Sequence, residues 1–257
     1  MLAVARKTEI KDLILEKKSV TVTELSKIFS VTEETIRRDL KQLEAEGFLT
    51  RTYGGAFIQD GVENNVNISL RQNAFLESKQ AIASRCLDLI HNGDSIFLDS
   101  STTSLAIAKA IKPMRLTVTT NSLMIINELC ECSTIHLICI GGNYTPSDNA
   151  FNGLNARTNL KSLYFDKTFM SCRSLSMENG VTDSIETVAS FRQLLIDRSK
   201  KVYLVADYSK FNKTSFIHIS DFEKITGLVT DCQLDSHWIE FLESRNVHLY
   251  PADLVKK

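Results

Sequence analysis

The sequence has no surplus of positive charge. Its 30 lysine and arginine residues stand against 31 aspartate and glutamate residues, a formal net charge of −1 at pH 7. Residues 1–57 are nearly as balanced, with ten basic and nine acidic residues. Bulk attraction therefore cannot drive binding to nucleic acid, and any contact with DNA must come from locally placed cations. Dimerisation, which doubles the phosphate contacts, is the usual remedy.

Paired cysteines and long apolar runs are also missing. None of the six cysteines forms a C-x-x-C pair or stands at metal-binding spacing from a histidine. Buried free thiols in a reducing compartment are the favoured interpretation, and a metal or redox site at Cys130-x-Cys132 is the minor alternative. No run approaches membrane-spanning length, and the first residues lack the apolar core of a signal peptide. We therefore expect a soluble cytoplasmic protein that binds neither metal nor cofactor.

Residues 20–48 predict two short helices joined by a tight turn. The apolar residues that recur at helical spacing are Val22, Leu25, Ile28 and Phe29 in the first helix, and Ile36, Leu40 and Leu43 in the second. Thr32 stands where an N-cap belongs, with Glu33 and Glu34 in the first turn behind it. Gly47 is a natural residue to end the second helix.

Polar and cationic residues occupy the outward face of the second predicted helix. A solvated surface is the competing interpretation of such a face, but the order of elements favours DNA recognition. An amphipathic helix at 5–17 precedes the helix pair, and residues 49–56 predict a short hairpin wing. The candidate DNA-binding residues are Thr32, Thr35, Arg37, Arg38, Lys41, Arg51 and Tyr53.

The run EETIRRDLKQLEAEGFLTRTYGGA strongly resembles the N-terminal domain of DeoR-type bacterial transcriptional regulators. The family pattern is S-x-x-T-[IV]-R-R-D-L…L…G…R-x-x-G-G-A, and Thr32 here replaces the commoner serine while keeping the capping hydroxyl. The resemblance implies a winged helix-turn-helix domain over residues 1–58. Asn, Asp and Gln are frequent after it, which predicts a loop or linker at 59–74, followed by a second domain at 75–257.

Apolar strand patterns alternate with helical patterns through the second domain. The predicted strands are 95–100, 116–121, 135–142, 162–172, 201–207 and 225–231, and the helices between and after them are 103–112, 122–132, 186–198 and 235–244. An additional helix is predicted from residue 75. This alternation predicts an α/β fold with a mainly parallel sheet that is covered on both faces.

Polar residues collect at the carboxyl ends of these strands, where ligands of open parallel sheets bind. Hydroxyl groups at a helix start favour an anion site, although a single N-cap would need only one of them. The other residue types could neutralise a phosphate or bind sugar hydroxyls, but each alone is more often part of a surface ion pair, and the two glycines could be a simple turn. The candidate ligand-binding residues are Asp99, Ser100, Ser101, Thr102, Thr103, Thr120, Asn121, Ser122, Gly141, Gly142, Arg173, Asp183, Glu186, Arg192 and Lys210. Asp166 is placed in the same group.

This half also resembles the DeoR family, whose sensor domain is similar to the ribose-5-phosphate isomerase fold. The family pattern D-x-G-T-T…T-N-S…G-G…D-K…G-[LV]-T…D-x-S-K-F can be followed through the chain. The resemblance implies a repressor that binds double-stranded operator DNA as a homo-oligomer, a dimer or a tetramer, and that senses a phosphorylated sugar. Ser101, residues 171–174 and Arg192 depart from the common pattern, so the geometry of the ligand is expected to differ.

Two other functions compete with that of a sensing repressor. A sugar-phosphate isomerase would need Asp166, Asp183 or Glu186 as a base and Arg192 or Lys210 as an electrophile. No nucleophile–base spacing or metal signature supports that enzyme, and it would have no use for a DNA-reading head. A purely structural DNA-binding protein would leave the hydroxyl-rich loop at 99–103 unexplained. We therefore expect a transcriptional regulator without catalytic residues.

Overall fold

The computed structural model describes residues 2–17, 19–46, 48–58 and 68–252. The chain divides into two compact units, Met1–Leu76 and Glu77–Lys257. The elements of the first unit are helix α1 (Ala3–Lys17), strand β1 (Ser19–Thr21), helices α2 (Val22–Phe29) and α3 (Glu33–Ala45), strands β2 (Thr50–Thr52) and β3 (Gly55–Phe57), and helix α4 (Ile68–Asn73). Strand β3 lies between β1 and β2 in an antiparallel sheet. The predicted helix pair and wing are confirmed, and β1 is an addition that the sequence pattern did not predict.

Side-chain caps fix where α2 and α3 begin. The Thr21 hydroxyl accepts a hydrogen bond from the Glu24 amide at 3.1 Å, and the Thr32 hydroxyl accepts one from the Thr35 amide at 3.3 Å. Between the helices, Ser30 turns the chain with a φ of 52°. The cap predicted at Thr32 is confirmed, whereas Gly47, the predicted helix end, lies outside the described residues.

The predicted core of the first unit is confirmed except at one position. Leu25, Ile36, Leu40 and Leu43 are fully buried, but Ile28 is 49% exposed. Ile28 lies about 60° further round α2 than Leu25, so it falls at the edge of the apolar stripe. Placing Ile28 in the buried face was therefore wrong.

Part of the predicted linker is helical. Residues 59–67 lie outside the described residues, but residues 68–73 form α4, which packs against β2 and β3. Ala74 joins Phe57 of the wing in a small apolar cluster. The prediction of a loop over residues 68–73 was wrong, because packing against the wing outweighs the weak local preference of a polar segment.

The elements of the second unit are helix α5 (Leu76–Leu87), β4 (Ser95–Leu98), α6 (Thr102–Ala110), β5 (Leu116–Thr120), α7 (Leu123–Leu129), β6 (Ile135–Cys139), β7 (Asn143–Thr145), β8 (Ala150–Asn152), α8 (Gly153–Lys161), β9 (Phe165–Met170), β10 (Ser174–Ser176), β11 (Gly180–Asp183), α9 (Glu186–Asp197), β12 (Ser199–Val205), β13 (Ile217–Ser220), β14 (Gly227–Thr230), α10 (Ser236–Ser244) and β15 (His248–Pro251). Short 3₁₀ turns follow at Tyr208–Lys210 and Phe222–Lys224. All six predicted strands are present. The sequence patterns did not predict β15, α8, the β7–β8 hairpin or the small β10-β11-β13 sheet.

Seven of the described strands form one parallel sheet in the order β15-β14-β12-β9-β4-β5-β6. Successive side chains of a strand point to opposite faces, and the core follows this rule. Ile96 and Leu98 pack with α5, α6 and α7, whereas Phe97 between them packs with α8 and α9. The predicted two-sided burial of the sheet is confirmed.

The chain changes direction across the sheet beside β4. From β4 it proceeds to β5 and β6 on one side, then returns to β9 on the other side and continues through β12, β14 and β15. Strands β4 and β9 are therefore neighbours whose connections run in opposite directions. Such a switch point leaves a crevice outside the carboxyl ends of the two strands, where ligands of open sheets bind.

Candidate nucleic-acid interface and ligand site

Three cations lie on the outward face of α3, and they differ in whether they form an ion pair. Arg38 and Lys41 are exposed, and the structure shows neither in an ion pair among the described residues. Arg37 instead pairs with Glu33, one helical turn earlier, at 2.7 Å. Arg38 and Lys41 are therefore the cations most directly available to a phosphate or a base edge, while Arg37 must exchange one partner for another.

A buried ion pair holds α3 against α1. Arg6 donates from Nε and Nη2 to the two carboxylate oxygens of Asp39, at 2.6 and 3.3 Å, and both residues are buried. The hydrogen bond to Asp39 raises the pKa of Arg6 despite burial, which acts to lower that pKa. Together with Ile36 and Leu40 on the apolar face, this pair fixes the orientation in which α3 presents Arg38.

The two predicted wing contacts also differ. The backbone amide and Nε of Arg51 both donate to the Glu44 carboxylate, at 2.9 and 2.7 Å, so this arginine braces the wing against α3. Tyr53, at the tip of the β2–β3 turn, is 92% exposed. Of these two side chains, Tyr53 is the one positioned for an external partner.

The two predicted threonines lie together at the start of α3. Thr35 is half-buried, and its hydroxyl lies 2.9 Å from that of Thr32.

In the second unit, Asp99 spans the crevice between β4 and β9. Its Oδ1 accepts hydrogen bonds from the Ser101 amide at 3.1 Å and the Ser104 hydroxyl at 2.6 Å. Its Oδ2 accepts from the Ser171 amide, beyond the end of β9, at 3.0 Å. Asp99 thus ties together the two loops that follow the neighbouring strands, a role for which Ser171 gave no signal in the sequence.

Arg192 of α9 links Asp99 to Asp183, at the end of β11. Its Nε and Nη2 donate to Asp99 Oδ2 at 3.0 and 2.7 Å, and its Nη1 donates to Asp183 Oδ2. Burial lowers the pKa of Arg192, but the charges of Asp99 and Asp183 outweigh that effect and raise it above the ordinary value. These three predicted ligand residues are therefore brought together and bind one another.

Cys172 lies among the charged groups of this region. Burial raises the pKa of its thiol to about 12, against the opposing charges of Lys210 and Arg192. The thiol is therefore neutral and unreactive at neutral pH. Lys210 is half-buried at the end of a 3₁₀ turn capped by Asp207, whose Oδ1 accepts from the Ser209 amide at 3.0 Å. Arg192 is already bonded to Asp99 and Asp183, and Lys210 and Arg173 are the other two cations predicted for this site.

The hydroxyl-rich loop after β4 has divided roles. Ser101 is the N-cap of α6: its hydroxyl accepts from the Ser104 amide at 3.1 Å, and its φ of −75° requires no glycine. Thr103 is buried, whereas Ser100 and Thr102 are partly exposed. The amides of Thr102 and Thr103 lie in the first turn of α6, where backbone amides have no acceptor within the helix.

The segment after β5 is bonded in two directions. The Thr120 hydroxyl donates to the Leu98 carbonyl at 2.7 Å, and Ser122 is the N-cap of α7. Asn121 donates from Nδ2 to the Phe151 carbonyl at 3.0 Å and to Asn152 Oδ1 at 3.3 Å. Thr120 and Ser122 therefore serve local structure, while Asn121 reaches the β7–β8 hairpin. Asn152 was not among the residues predicted from sequence.

Of the paired glycines Gly141 and Gly142, only the second has a packing role. A Cβ at Gly142 would lie 2.6 Å from the Asn152 carbonyl oxygen and 2.9 Å from the Ala156 Cβ, so the residue must be glycine for α8 to pack there. A Cβ at Gly141 would meet no atom within 4 Å.

Two further predicted ligand residues differ in burial. Arg173 is half-buried, and Glu186 is exposed in the first turn of α9.

Asp166 lies at the opposite edge of the sheet from the switch point. It is the second residue of β9, and its carboxylate accepts from the amide and hydroxyl of Ser95 at 2.9 and 2.8 Å, which lowers its pKa. The neighbouring Lys167 pairs with Asp94 at 2.5 Å. Placing Asp166 with the ligand residues was wrong, because it stands at the amino end of its strand.

Within the described ranges, no helix is both long and apolar enough to cross a membrane. Among the same residues, no group of three or more histidine, cysteine or acidic side chains is arranged to hold a metal ion.

The first unit is a helix pair with a wing, and the second is a parallel-sheet domain with a polar switch point. These are the two parts of one known class of protein. Residues 6–61 match the DeoR-like helix-turn-helix domain, and residues 74–232 match the DeoR C terminal sensor domain. The chain belongs to the DeoR family of helix-turn-helix transcriptional regulators.

Its relatives align along nearly the whole chain. An uncharacterized HTH-type transcriptional regulator, YulB of Bacillus subtilis, is 37% identical over 257 residues, which is 100% of both chains. A putative aga operon transcriptional repressor of Escherichia coli O157:H7 is 30% identical over 95% of this chain and 92% of its own. Among solved structures, ribose 5-phosphate isomerase A of Methanocaldococcus jannaschii is 11% identical, with a TM-score of 0.39 over 52% of this chain and 53% of that chain.

Proposed function

We propose that the chain represses genes of carbohydrate metabolism and that a phosphorylated sugar bound at the switch point changes its affinity for operator DNA. The observation that carries the DNA-binding part is α3, held by a buried ion pair so that Arg38 and Lys41 face outward. Repression is supported by the relative from Escherichia coli, a putative aga operon transcriptional repressor, and a carbohydrate operon is supported by a further relative, a lactose phosphotransferase system repressor of Staphylococcus epidermidis.

On the DNA, Thr35, Arg37 and Arg38 contact base edges or phosphates in the major groove, and Lys41 and Tyr53 lie nearer the backbone. Thr32 and Arg51 contribute mainly by holding α3 and the wing, because both side chains are used in internal hydrogen bonds. The protein acts as a homo-oligomer in the cytoplasm, since two reading heads supply the phosphate contacts that its small net charge does not.

The effector binds across the ends of β4, β5 and β9. Its phosphate lies against the first turn of α6, at Ser100 and Thr102, with Lys210 and Arg173 as counter-charges. Asp99, Asp183 and Arg192 position the loops rather than contact the phosphate, because their charges are already satisfied by one another. The same saturation argues against an isomerase, since neither buried carboxylate is free to act as a base and Asp166 is at the other edge.

Regulation requires that the sugar phosphate bind more tightly to one of two states that differ in DNA affinity. The test begins by selecting bound duplexes from a random DNA pool and measuring their affinity by fluorescence anisotropy. The protein–duplex complex is then titrated with a panel of sugar phosphates. At least one of these compounds should weaken the binding of the protein to the selected duplex. Operator binding that no sugar phosphate alters would refute the effector, and the absence of any selected sequence would refute the DNA reader.

A further inference from the structure

The β7–β8 hairpin closes over the carboxyl end of β5. The Phe151 amide donates to the Asn121 carbonyl at 2.8 Å, and the Leu123 amide donates to the Asn149 carbonyl at 3.0 Å. Asn121 follows Thr120, which is in register with Leu98, the residue before Asp99. Asn121 therefore lies about one strand spacing, about 4.8 Å, from the segment that begins at Asp99.

Two carboxamide groups under this hairpin leave polar atoms unsatisfied. Asn121 and Asn152 are 2% and 3% exposed. Within the part of the chain that the structure describes, Asn121 Oδ1 and Asn152 Nδ2 have no hydrogen-bond partner. Their orientation is fixed, because Asn121 must turn its Nδ2 to the Phe151 carbonyl and Asn152 must then turn its Oδ1 to that Nδ2. Each of the two bonded carboxamides thus keeps one unsatisfied polar atom, an acceptor on Asn121 and a donor on Asn152.

Helix capping does not explain the asparagine at position 152. Asn152 is the N-cap residue of α8, yet its side chain makes no capping hydrogen bond. Asparagine is among the best N-cap residues, so its side chain forgoes a favourable local bond and turns to Asn121 instead. Their mutual contact, at 3.3 Å, lies beyond the usual N–H···O range. This contact is weak enough for another group to replace it.

We propose that Asn121 and Asn152 together bind one hydroxyl group of the effector, an inference that rests on the proposed sugar-phosphate site. A hydroxyl donates one hydrogen bond and accepts others, so it can donate to Asn121 Oδ1 and accept from Asn152 Nδ2. A phosphate dianion has only acceptors and would be repelled by Asn121 Oδ1. The pair therefore orients the ligand, with its phosphate at the start of α6 and a hydroxyl-bearing carbon under the hairpin.

The experiment compares wild-type protein with Asn152→Leu, which removes both polar atoms at similar size. Asn155→Leu, an exposed position on the same helix, is the matched control. The Kd values of glucose 6-phosphate, fructose 6-phosphate, ribose 5-phosphate and inorganic phosphate are measured for each protein by calorimetry. The sugar phosphate that binds wild-type protein is expected to bind Asn152→Leu about tenfold more weakly. Inorganic phosphate should bind all three proteins alike.

Unliganded Asn152→Leu should melt no lower than wild-type protein, because it removes an unsatisfied buried donor. Asn152→Ala serves as the second variant where leucine does not fit. Unchanged sugar-phosphate affinity would overturn the inference and indicate that the amides hold a structural water. Equal weakening of the sugar phosphate and of inorganic phosphate would also overturn it. Binding of none of the four to wild-type protein would overturn both this inference and the proposed effector.

Discussion

Removal of Arg192 isolates two buried carboxylates at the switch point. Asp99 is 2% exposed and Asp183 is 7% exposed, and Arg192 is the cation that the structure shows bonded to both. Breaking a buried ion pair by removing one partner costs about 3–5 kcal/mol. Arg192→Met keeps the apolar stem but leaves both charges uncompensated, so we expect a loss at the upper end of that range at pH 7.

Urea unfolding followed by fluorescence measures the free energy of unfolding that Arg192→Met loses relative to wild type. The one tryptophan of the sequence, Trp238, is buried in the second unit, so its emission reports the unit that contains Arg192. Lys224→Met is the control, since it breaks an exposed pair with Asp197, worth less than about 1 kcal/mol. A loss below about 1 kcal/mol for Arg192→Met would refute the reasoning.

Three further predictions follow from the geometry. Arg38→Ala should weaken binding of a selected operator by about 1–3 kcal/mol in anisotropy titrations if Arg38 reads a base, and should weaken all sequences alike if it contacts a phosphate; unchanged affinity would mean that α3 is not the reader. Gly142→Ala should lower the free energy of unfolding in urea by about 1–3 kcal/mol, because its Cβ would lie 2.6 Å from a backbone oxygen, and wild-type stability would contradict this. Ellman's reagent at pH 8 should modify the exposed Cys130 of the folded protein but not Cys172, whose pKa is raised to about 12, and peptide mapping that finds Cys172 modified would disprove its burial.

Local patterns made the fold largely predictable from sequence. Helical spacing and a capping hydroxyl located α2 and α3, and the alternation of apolar strands with helices located six strands of the main sheet. Short elements with few buried residues were missed, since α8 buries only Ala156 and Leu160 among its described residues. The polar character of residues 68–73 likewise concealed α4.

The candidate site was predictable in its location but not in its internal pairing. Strand ends could be read from sequence, and most of the candidate residues do lie there. Arg192 and Asp99 are separated by 93 residues, and Asn121 and Asn152 by 31. No spacing rule connects positions so far apart, so the sequence could not show which charges neutralise one another or that an asparagine would turn away from its helix to meet another.

The packing of α4 on the wing determines where an independent DNA-reading fragment should end. Phe57 is 3% exposed, and its cover comes from Ala74 with Phe75 packed beside them. A fragment cut after residue 58 would uncover this aromatic ring, and exposed apolar surface invites aggregation. The fragment to express for operator studies therefore runs to Leu76, the last residue of the first compact unit.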